Sequence, residues 1–324
     1  MIFIKERTKP IYLLKLEAAL RRVPDTHPNK QMILKEYLKH QSGFRGEKTV
    51  DYYLSLLPKE QTIILPNLRL QNNNNFHFQM DTLVLNPRFF LIIESKNTSG
   101  ELVYDIETNE LVRKKGTEME LFSDPVLQVE RQKIQLIEFL RLLNIQPTPL
   151  LTLAVLTNSS VSLKMKSDYM KIPRNLIRAE ALPSKLTEMN QSYKKEYINY
   201  QDLKKLGRIL VKRDRPYNPN VLEKFDVKKE ELISGIHCPR CFNFNLIKSR
   251  KGHWKCESCE FISKDAFKFS LNDYLLLVNS GINNCELRNF LKITAPRSAL
   301  RLLSNYKKTG NTKGTTYHLT YYDG

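Results

Sequence analysis

Two adjacent apolar stretches, joined by a short turn, constrain the fold of this chain most. Residues 77–85 and 89–96 each have an apolar body with charged or polar side chains at one end, and Asn86-Pro87-Arg88 leads from one to the other. Within the second stretch, Leu91-Ile92-Ile93 is fully apolar, as in a strand that is buried on both faces. The pattern predicts a β-hairpin whose charged end lies at the edge of a hydrophobic core.

The charged end of this hairpin carries residue types that metal-dependent phosphodiester cleavage requires. Because strand side chains alternate with a period of two, Gln79 and Asp81 share a face, and so do Glu94 and Lys96. One carboxylate from each strand can hold Mg²⁺, which polarises a phosphoryl group and acidifies a water. The lysine can orient that water or stabilise transition-state charge. Alternatively, these residues mark only the point where an apolar strand reaches water, because so short a pattern also arises by chance.

The overall charge of the chain favours a polyanionic partner. The chain has 324 residues, which is enough for two or three domains. Its residues are 41% hydrophobic, and the formal net charge is +18 at pH 7. There is no apolar run of about eighteen residues and no signal-peptide pattern at the start, so we expect a cytoplasmic protein without a membrane span. The basic charge then indicates nucleic acid, with a generally lysine-rich proteome as the alternative explanation.

The order of predicted elements is typical of an α/β core. The expected elements are a helix at 46–57, a strand at 62–65, the hairpin, a short strand pair around 102–104 and 111–113, a helix at 126–143 and a strand at 151–157. Asp124 and Pro125 suit an N-cap and a first helical residue. Helices packed on a sheet bury the apolar faces of both elements, so we predict this layered arrangement.

Four of the five cysteines form two CxxC pairs, and these indicate a zinc site. Cys238 and Cys241 are separated from Cys256 and Cys259 by fourteen residues. Each pair can place two thiolates on one tetrahedral Zn²⁺, and the gap suits a short zinc ribbon. Disulfides are a competing interpretation that the missing secretion signal disfavours. A redox CxxC is disfavoured because two copies occur.

Three other residues receive structural rather than functional interpretations. His237 and His253 lie close to the CxxC pairs, but four thiolates already complete a tetrahedral site. We therefore expect both histidines at the surface. Cys285 stands alone in a helical pattern, and we expect it to be a small core residue.

The C-terminal segment has the pattern of a winged helix. Three short helices are expected at 271–278, 282–291 and 295–305, followed by the basic run 307–314 and a strand at 315–319. In a winged helix the third helix enters the major groove and the hairpin contacts phosphates. The candidate DNA-contacting residues are Arg297, Arg301, Lys308 and Lys313. The alternative is a small helical domain with a solvated run of charge.

Several motifs between residues 42 and 158 point to one known family. They are Ser42-Gly43-Phe44-Arg45-Gly46-Glu47, Gln79-Met80-Asp81, Ile93-Glu94-Ser95-Lys96, Gly100, Asp124-Pro125, Gln128 and Val155-Leu156-Thr157-Asn158. With these motifs, residues 43–157 resemble the NERD (nuclease-related) domain of bacterial proteins, a branch of the PD-(D/E)xK nucleases. The chain departs from that superfamily motif in having Met80 before the acid, where proline is usual but is not a ligand.

The resemblance implies a restriction-endonuclease-like fold and a role for each matching residue. Asp81 and Glu94 would bind the metal, and Lys96 would be the catalytic lysine. The helix-borne acid of the superfamily matches Glu47. Two glutamines match polar positions that often lie near the site: these are Gln79, before the metal-binding acid, and Gln128, on a helix.

We therefore predict a cytoplasmic DNA endonuclease that depends on Mg²⁺ or Mn²⁺ and carries a structural Zn²⁺. The expected parts are an N-terminal helical segment at 1–40, a nuclease-like domain at 41–160, a helical extension and linker at 161–236, a zinc ribbon at 237–265 and a winged-helix-like domain at 266–324. The rival hypothesis is a non-catalytic nucleic-acid-binding regulator that kept the fold. An RNA-directed enzyme is a third, because charge alone does not separate DNA from RNA. Homo-oligomerisation stays open.

Overall fold

The chain forms both helices and strands, as the sequence predicts. The computed structural model describes residues 2–58, 61–105, 108, 110–115, 118–145, 148–166, 172–249 and 252–323. The α-helices in these ranges are α1 (Ile11–Arg22), α2 (Lys30–Ser55), α3 (Pro125–Leu142), α4 (Leu182–Ser192), α5 (Tyr200–Lys212), α6 (Val221–Lys224), α7 (Ala266–Leu277), α8 (Asn284–Leu291) and α9 (Pro296–Leu303).

The strands in the same ranges fall into four sheets. They are β1 (Ile2–Phe3), β2 (Ile63–Gln71), β3 (His77–Leu85), β4 (Phe90–Lys96), β5 (Gly100–Asp105), β6 (Glu110–Lys115), β7 (Glu118–Ser123), β8 (Leu150–Leu156), β9 (Val161–Met165), β10 (Leu176–Arg178), β11 (Leu246–Lys248), β12 (Trp254–Cys256), β13 (Ile262–Ser263), β14 (Gly281–Ile282), β15 (Lys307–Thr309) and β16 (Thr316–His318). The predicted mixed α/β class is thus confirmed.

The chain divides into two compact units, and each takes two separate stretches of sequence. The first unit comprises Met1–Lys9 and His40–Tyr217, and the second comprises Pro10–Lys39 and Asn218–Gly324. The segment 1–40, predicted as a single N-terminal part, is therefore shared between the two units. No helix within the described ranges is both long and apolar enough to cross a membrane.

A six-stranded mixed sheet in the order β1-β2-β3-β4-β8-β10 forms the centre of the first unit. The predicted hairpin is present, because β3 and β4 pair antiparallel. β4 and β8 pair in parallel, which requires a long crossover connection. That connection contains α3 and the strands β5, β6 and β7, which form a second sheet in the order β7-β6-β5-β9 with a strand that follows β8. The predicted strand pair appears there in the register Leu102↔Arg113 and Tyr104↔Leu111.

Both faces of the central sheet are covered by helices. Ile92 packs in a core shared with α3 and α5. Leu91 and Ile93 face the opposite core, which is shared with α2 and α4. The three residues are fully buried, so their continuous apolar run follows from two apolar layers, one on each face of the strand. Glu94 is the next residue after this run and lies at its polar boundary.

The predicted start of α3 is confirmed in detail. Asp124 is the N-cap, and its side chain accepts hydrogen bonds from the backbone of Val126 at 2.7 Å and of Leu127 at 3.4 Å. The other Asp124 oxygen accepts from the hydroxyl of Tyr104 at 2.8 Å. The cap and the tyrosine fix the first turn of α3. The turn that follows carries Gln128.

The helix predicted to begin near residue 46 is instead the second half of α2. This helix runs without a break from Lys30 to Ser55, through Gly43 and Gly46. Glycine at 46 is explained by close packing: a Cβ atom there would lie 2.7 Å from Thr157 Oγ1 and 2.8 Å from Asn97 Cβ. The glycine therefore lets α2 approach the ends of β4 and β8, and it does not mark a helix end.

The segment 214–236, predicted as a linker, is packed into the second unit from residue 218 onward. Val221, Leu222 and Phe225 are buried and share a core with α1. Val221 and Phe225 are four residues apart, so a helical turn presents both to the same side. The prolines of this segment suggested a linker, but the spacing of its apolar residues lets it pack into a core. The prediction of a linker was therefore wrong from residue 218 onward.

The rest of the second unit contains the cysteine pairs and the C-terminal helices. Strands β11, β12 and β13 form an antiparallel sheet. The helices α7, α8 and α9 are accompanied by the sheet β14-β16-β15. Trp254 of β12 packs in the same core as Leu271 of α7 and Leu303 of α9. The cysteine-bearing sheet and the C-terminal helices thus share one hydrophobic core.

Two single-residue expectations in the second unit were wrong. His237 is buried, because its ring lies against Asp273, with Nε2 3.1 Å from a carboxylate oxygen. Arg22 contacts the same carboxylate at 2.8 Å. Burial opposes ionisation, but His237 and the nearby arginines outweigh it and lower the pKa of Asp273 to about 2. Cys285 is exposed, since it lies on the outer side of α8.

Candidate active site and cysteine metal centre

The strands β3 and β4 separate at the charged end of the hairpin. Their ladder runs from Leu85↔Phe90 to a last pair, Thr82↔Ile93. Beyond it, β4 continues to pair with β8 as far as Lys96↔Leu156. On the side that β3 has left, the Ser95 amide donates to Asp81 Oδ2 at 2.9 Å and the Ser95 hydroxyl donates to the same oxygen at 2.8 Å. The Asp81 carboxylate thus accepts a hydrogen bond from the β4 backbone where β3 no longer supplies a backbone carbonyl.

The carboxylate of Glu94 is held by two glutamines of α3. Gln128 Nε2 donates to Glu94 Oε1, and Gln132 Nε2 donates to Glu94 Oε2 at 2.9 Å. The two glutamines are four residues apart and therefore lie on one face of the helix. Gln132 also donates to the backbone carbonyl of Gln79 at 2.8 Å. These bonds join α3 to β3 and β4 around a carboxylate that is 4% exposed.

Lys96 is joined to the same network. Its Nζ donates to Gln128 Oε1 at 2.9 Å and lies 3.8 Å from Glu94 Oε1. Gln128 therefore bridges the lysine and the acid through the two ends of one amide. The bridge fixes the position of the ammonium beside Glu94 while the lysine side chain stays partly exposed.

A buried arginine from the beginning of the chain lies next to the helix-borne acid. The side chain of Arg7 is 3% exposed. It contacts Glu47 and forms a two-point pair with Asp51, at 2.6 and 3.0 Å. It also donates to the Asp81 carbonyl at 3.0 Å and to the Thr82 hydroxyl at 2.7 Å. Arg7 thus ties α2 to the point where β3 leaves β4.

The carboxylates of this cluster repel one another. Burial raises the pKa of Glu94 to about 8, and the charge of Asp81 adds to the effect. Burial and Asp81 likewise raise the pKa of Glu47 to about 8, against the opposing influence of Arg7. Burial disfavours the charged guanidinium, but Asp51 and Glu47 outweigh it and raise the pKa of Arg7. The cluster therefore favours an added positive charge.

The structure brings most of the sequence-predicted site residues together. The residues within this network are Glu47, Asp81, Glu94, Lys96 and Gln128. Gln79 joins only through its backbone carbonyl, because its exposed side chain donates to Asn67 at 2.7 Å instead. Sequence reasoning missed Arg7, Asp51, Ser95 and Gln132. Gln132 and Asp51 had a usable signal, because each lies four residues from a candidate residue on the same helix, Gln128 and Glu47 respectively.

The cluster fits a divalent cation with a hydrated shell. Its donors are carboxylate oxygens, which Mg²⁺ and Mn²⁺ prefer. Among the described residues, the only group of three or more His, Cys, Asp or Glu ligand atoms within 4.8 Å of one another is the cysteine set. No three carboxylates of the cluster therefore come that close together. Mg²⁺ usually takes one or two protein carboxylates and keeps several waters, which matches a site formed by Asp81 and Glu94.

The four cysteines Cys238, Cys241, Cys256 and Cys259 form a compact group. Their sulfur atoms lie within 4.8 Å of one another, with 3.6 Å between Cys238 and Cys259 and 3.5 Å between Cys241 and Cys256. A disulfide would bring two sulfurs to about 2.05 Å. Zinc–sulfur bonds of about 2.3 Å in a tetrahedron place sulfurs about 3.8 Å apart. The spacing therefore suits four thiolates around one Zn²⁺.

Both cysteine knuckles close in the same way. The Phe242 amide donates to the Cys238 carbonyl at 2.9 Å, and the Glu260 amide donates to the Cys256 carbonyl at 3.0 Å. Phe242 and Glu260 each follow the second cysteine of a pair and have φ values of 62° and 57°. This left-handed backbone turns the chain so that both thiolates of a pair point the same way. The repetition supports a single shared metal ion.

The family comparison covers the carboxylate cluster but not the cysteines. Residues 42–157 match the model of NERD, the nuclease-related domain. This stretch is a nuclease-related domain. It amounts to about a third of the 324-residue chain and contains every residue of the carboxylate cluster except Arg7. No curated protein and no solved structure matches the chain. The predicted resemblance over 43–157 is confirmed.

Three of the four predicted DNA-contacting residues lie on α9 and β15. Arg297 and Arg301 are exposed on α9, whose opposite side buries Ala299 and Leu303. Lys308 is exposed on β15. The side chain of Lys313 lies outside the described residues. The exposed basic residues and the buried apolar residues of α9 thus occupy different faces.

The cysteine group generates a prediction about metal content. Cys256→Ser should lower the zinc content below the about one equivalent expected for the purified wild type, and should lower the unfolding temperature of the second unit, because metal binding supplies folding free energy to small ribbons. Elemental analysis and calorimetry measure the two effects. Cys285→Ser is the matched control, since this exposed cysteine is outside the group. Equal zinc in all three proteins would contradict the assignment.

The raised pKa values generate a prediction about pH. Glu47 and Glu94 have pKa values near 8 in the folded state and about 4.5 when unfolded, so the folded state favours their protonated forms. In buffer without divalent ions, the contribution of these two acids to stability should be fullest below about pH 4.5 and should fall as pH rises towards 8. Glu94→Gln should flatten part of this slope. Thermal unfolding from pH 5 to 8.5 measures both curves, and parallel curves would contradict the prediction.

Proposed function

We propose that this protein is a nuclease that hydrolyses phosphodiester bonds of DNA with the help of Mg²⁺ or Mn²⁺. The observation that carries the proposal is the convergence of Asp81, Glu94 and Lys96 where β3 leaves β4, inside a nuclease-related domain. A buried acid, a half-buried acid and a lysine held by a glutamine are costly to keep together. Their mutual repulsion is relieved by a bound cation, which supports a metal-dependent role.

Asp81 and Glu94 would hold the ion, with water completing its coordination. Bound there, a divalent ion supplies polarisation of the phosphoryl group and a more acidic water. Ser95 orients the Asp81 carboxylate through two hydrogen bonds to one oxygen. Gln128 and Gln132 orient Glu94 through one bond to each oxygen. Each acid therefore keeps lone pairs for an ion while its side chain is held in one orientation.

Lys96 would contribute a fixed positive charge to the reaction. Its Nζ is held by Gln128 and stays partly exposed, so that it can face an incoming phosphate or an attacking water. A preorganised donor of this kind stabilises the charge that develops in the transition state. Gln128 thus acts as a positioning residue, because it sets the ammonium relative to Glu94. Glu47 is the helix-borne acid of the same site.

We propose that the second unit supplies affinity for DNA. A structural Zn²⁺ in the cysteine group would stabilise the sheet β11-β12-β13 and, through the shared core, the C-terminal helices. The order α7-β14-α8-α9-β15-β16 supports a winged helix in which α9 enters the major groove. Arg297 and Arg301 are exposed on α9 and would contact DNA, and Lys308 on β15 would contact phosphate.

Cleavage assays on site variants decide between the nuclease and a non-catalytic binding protein. Asp81→Asn preserves shape but removes a charge, and should abolish cleavage and weaken Mn²⁺ binding. Lys96→Ala should leave Mn²⁺ binding largely intact and slow cleavage about a hundredfold or more, as expected for the loss of one electrostatic donor. Initial rates on supercoiled, linear and single-stranded DNA and on RNA, with Mg²⁺ or Mn²⁺, measure these effects.

The control for cleavage is Lys164→Ala, because Lys164 pairs with Glu101 at the surface of the first unit. It should cut at the wild-type rate. All four proteins are purified identically, so a contaminating nuclease would appear in each of them. Wild type that cuts no nucleic acid, or cuts no faster than Asp81→Asn, would overturn the proposed activity and favour the non-catalytic alternative. Cleavage of RNA alone would keep the hydrolytic activity and overturn DNA as the proposed substrate.

Duplex binding provides a separate test of the second unit. Point variants are preferable to deleting residues 266–324, because that deletion would also expose the core around Trp254. Arg297→Ala with Arg301→Ala should weaken binding and reduce the salt slope by about 1.8, if each arginine neutralises one phosphate. The charge-matched control replaces Lys35 and Lys39, exposed lysines of α2. Fluorescence anisotropy across a salt series measures the slopes, and equal slopes would contradict the prediction.

A further inference from the structure

Arg7 provides a fixed positive charge on one side of the acidic cluster. All three of its guanidinium nitrogens donate to groups of the cluster: Nε to Asp51, one terminal nitrogen to Glu47, and the other to Asp51, the Asp81 carbonyl and the Thr82 hydroxyl. The side chain is 3% exposed. A buried guanidinium with every nitrogen engaged is held rigidly, because removing any partner would leave a buried charge unpaired.

The charges of the cluster leave room for one divalent ion. Its carboxylates are Glu47, Asp51, Asp81 and Glu94, and its fixed cations are Arg7 and Lys96. When all are ionised, two negative charges are uncompensated, which equals the charge of one Mg²⁺ or Mn²⁺. A second divalent ion would give the protein site a net positive charge before any phosphate arrived.

The contacts also divide the acids into two groups with Asp81 between them. Glu47 and Asp51 both contact Arg7, whereas Glu94 contacts Lys96. The carbonyl of Asp81 contacts Arg7 and its carboxylate contacts Ser95 beside Glu94, and the charge of Asp81 acts on both Glu47 and Glu94. An ion shared by Asp81 and Glu94 would thus have the Arg7 guanidinium on the other side of Asp81.

We infer that Arg7 takes the place of a second metal ion, so that the site uses a single divalent ion. The inference rests on the proposed function and specifies its metal requirement. Glu47 then contributes no metal ligand of its own: it is a positioning acid that, with Asp51, holds Arg7 against the backbone of Asp81. Arg7 is likewise a positioning residue, because it fixes Asp81 without touching the substrate.

The stoichiometry of Mn²⁺ tests the inference on the zinc-loaded full chain. Titration calorimetry should give one Mn²⁺ bound per chain for the wild type, and none at comparable affinity for Asp81→Asn. Electron paramagnetic resonance should show isolated Mn²⁺ without coupling between ions. Arg7→Gln removes the charge and should admit a second Mn²⁺ beside Glu47 and Asp51. Arg7→Lys keeps the charge and should remain at one ion.

A second variant keeps the test valid if Arg7→Gln does not fold. Glu47→Gln should weaken Mn²⁺ binding clearly less than Glu94→Gln, because Glu47 acts only through Arg7, whereas removing a direct ligand should cost at least the about tenfold in affinity that is typical for losing a residue in contact with a ligand. Two coupled Mn²⁺ ions in the wild type would overturn the inference and leave the proposed function standing. If Glu47→Gln weakens Mn²⁺ binding as much as Glu94→Gln does, the inference is likewise overturned and the proposed function stands. Wild type that binds no Mn²⁺ would overturn both proposals.

Discussion

The separation of β3 from β4 after Thr82↔Ile93 determines the rest of the site. A strand that loses its neighbour exposes backbone amides that need acceptors, and the Asp81 carboxylate meets this need by bonding to Ser95. The acid is therefore placed by backbone hydrogen bonding, independently of any ligand. Glu94 lies one residue beyond the apolar run of β4, so the same separation leaves its carboxylate facing α3. The two acids come together because one strand ends its pairing while the other continues.

Burial of these acids has an electrostatic cost that the surrounding side chains offset in different ways. The amides of Gln128 and Gln132 bind Glu94 without adding charge, so its pKa stays high at about 8. Arg7 adds one positive charge beside the two carboxylates Glu47 and Asp51, and Lys96 adds one beside Glu94. With Asp81 included, the cluster keeps two negative charges when all of its groups are ionised. A divalent cation from solution would offset both of them.

Sequence patterns correctly predicted those parts of the molecule that depend on residues close together in the chain. The apolar run of β4, the N-cap Asp124 and the two CxxC pairs each satisfy a requirement within a few residues of chain, and each was found. Three features depend on contacts distant in sequence and were missed. Arg7 meets Glu47 across forty residues, Gly46 is required by Thr157, and the segment after residue 218 is packed by α1. Rules of propensity and spacing apply to neighbouring residues, so they do not identify partners that are distant in sequence.

The same long-range contacts show that the matched segment is not a complete structural unit. Residues 42–157 contain the acids and the lysine, but the guanidinium that pairs with Glu47 and Asp51 comes from residue 7. The apolar face of the central sheet on the α3 side is also covered by α5, through Leu203, Leu206 and Leu210. A fragment limited to the matched residues would therefore expose an apolar face and leave two partly buried carboxylates without a counter-charge. Electrostatics and core packing together set the boundaries of the nuclease-related unit wider than its recognisable motifs.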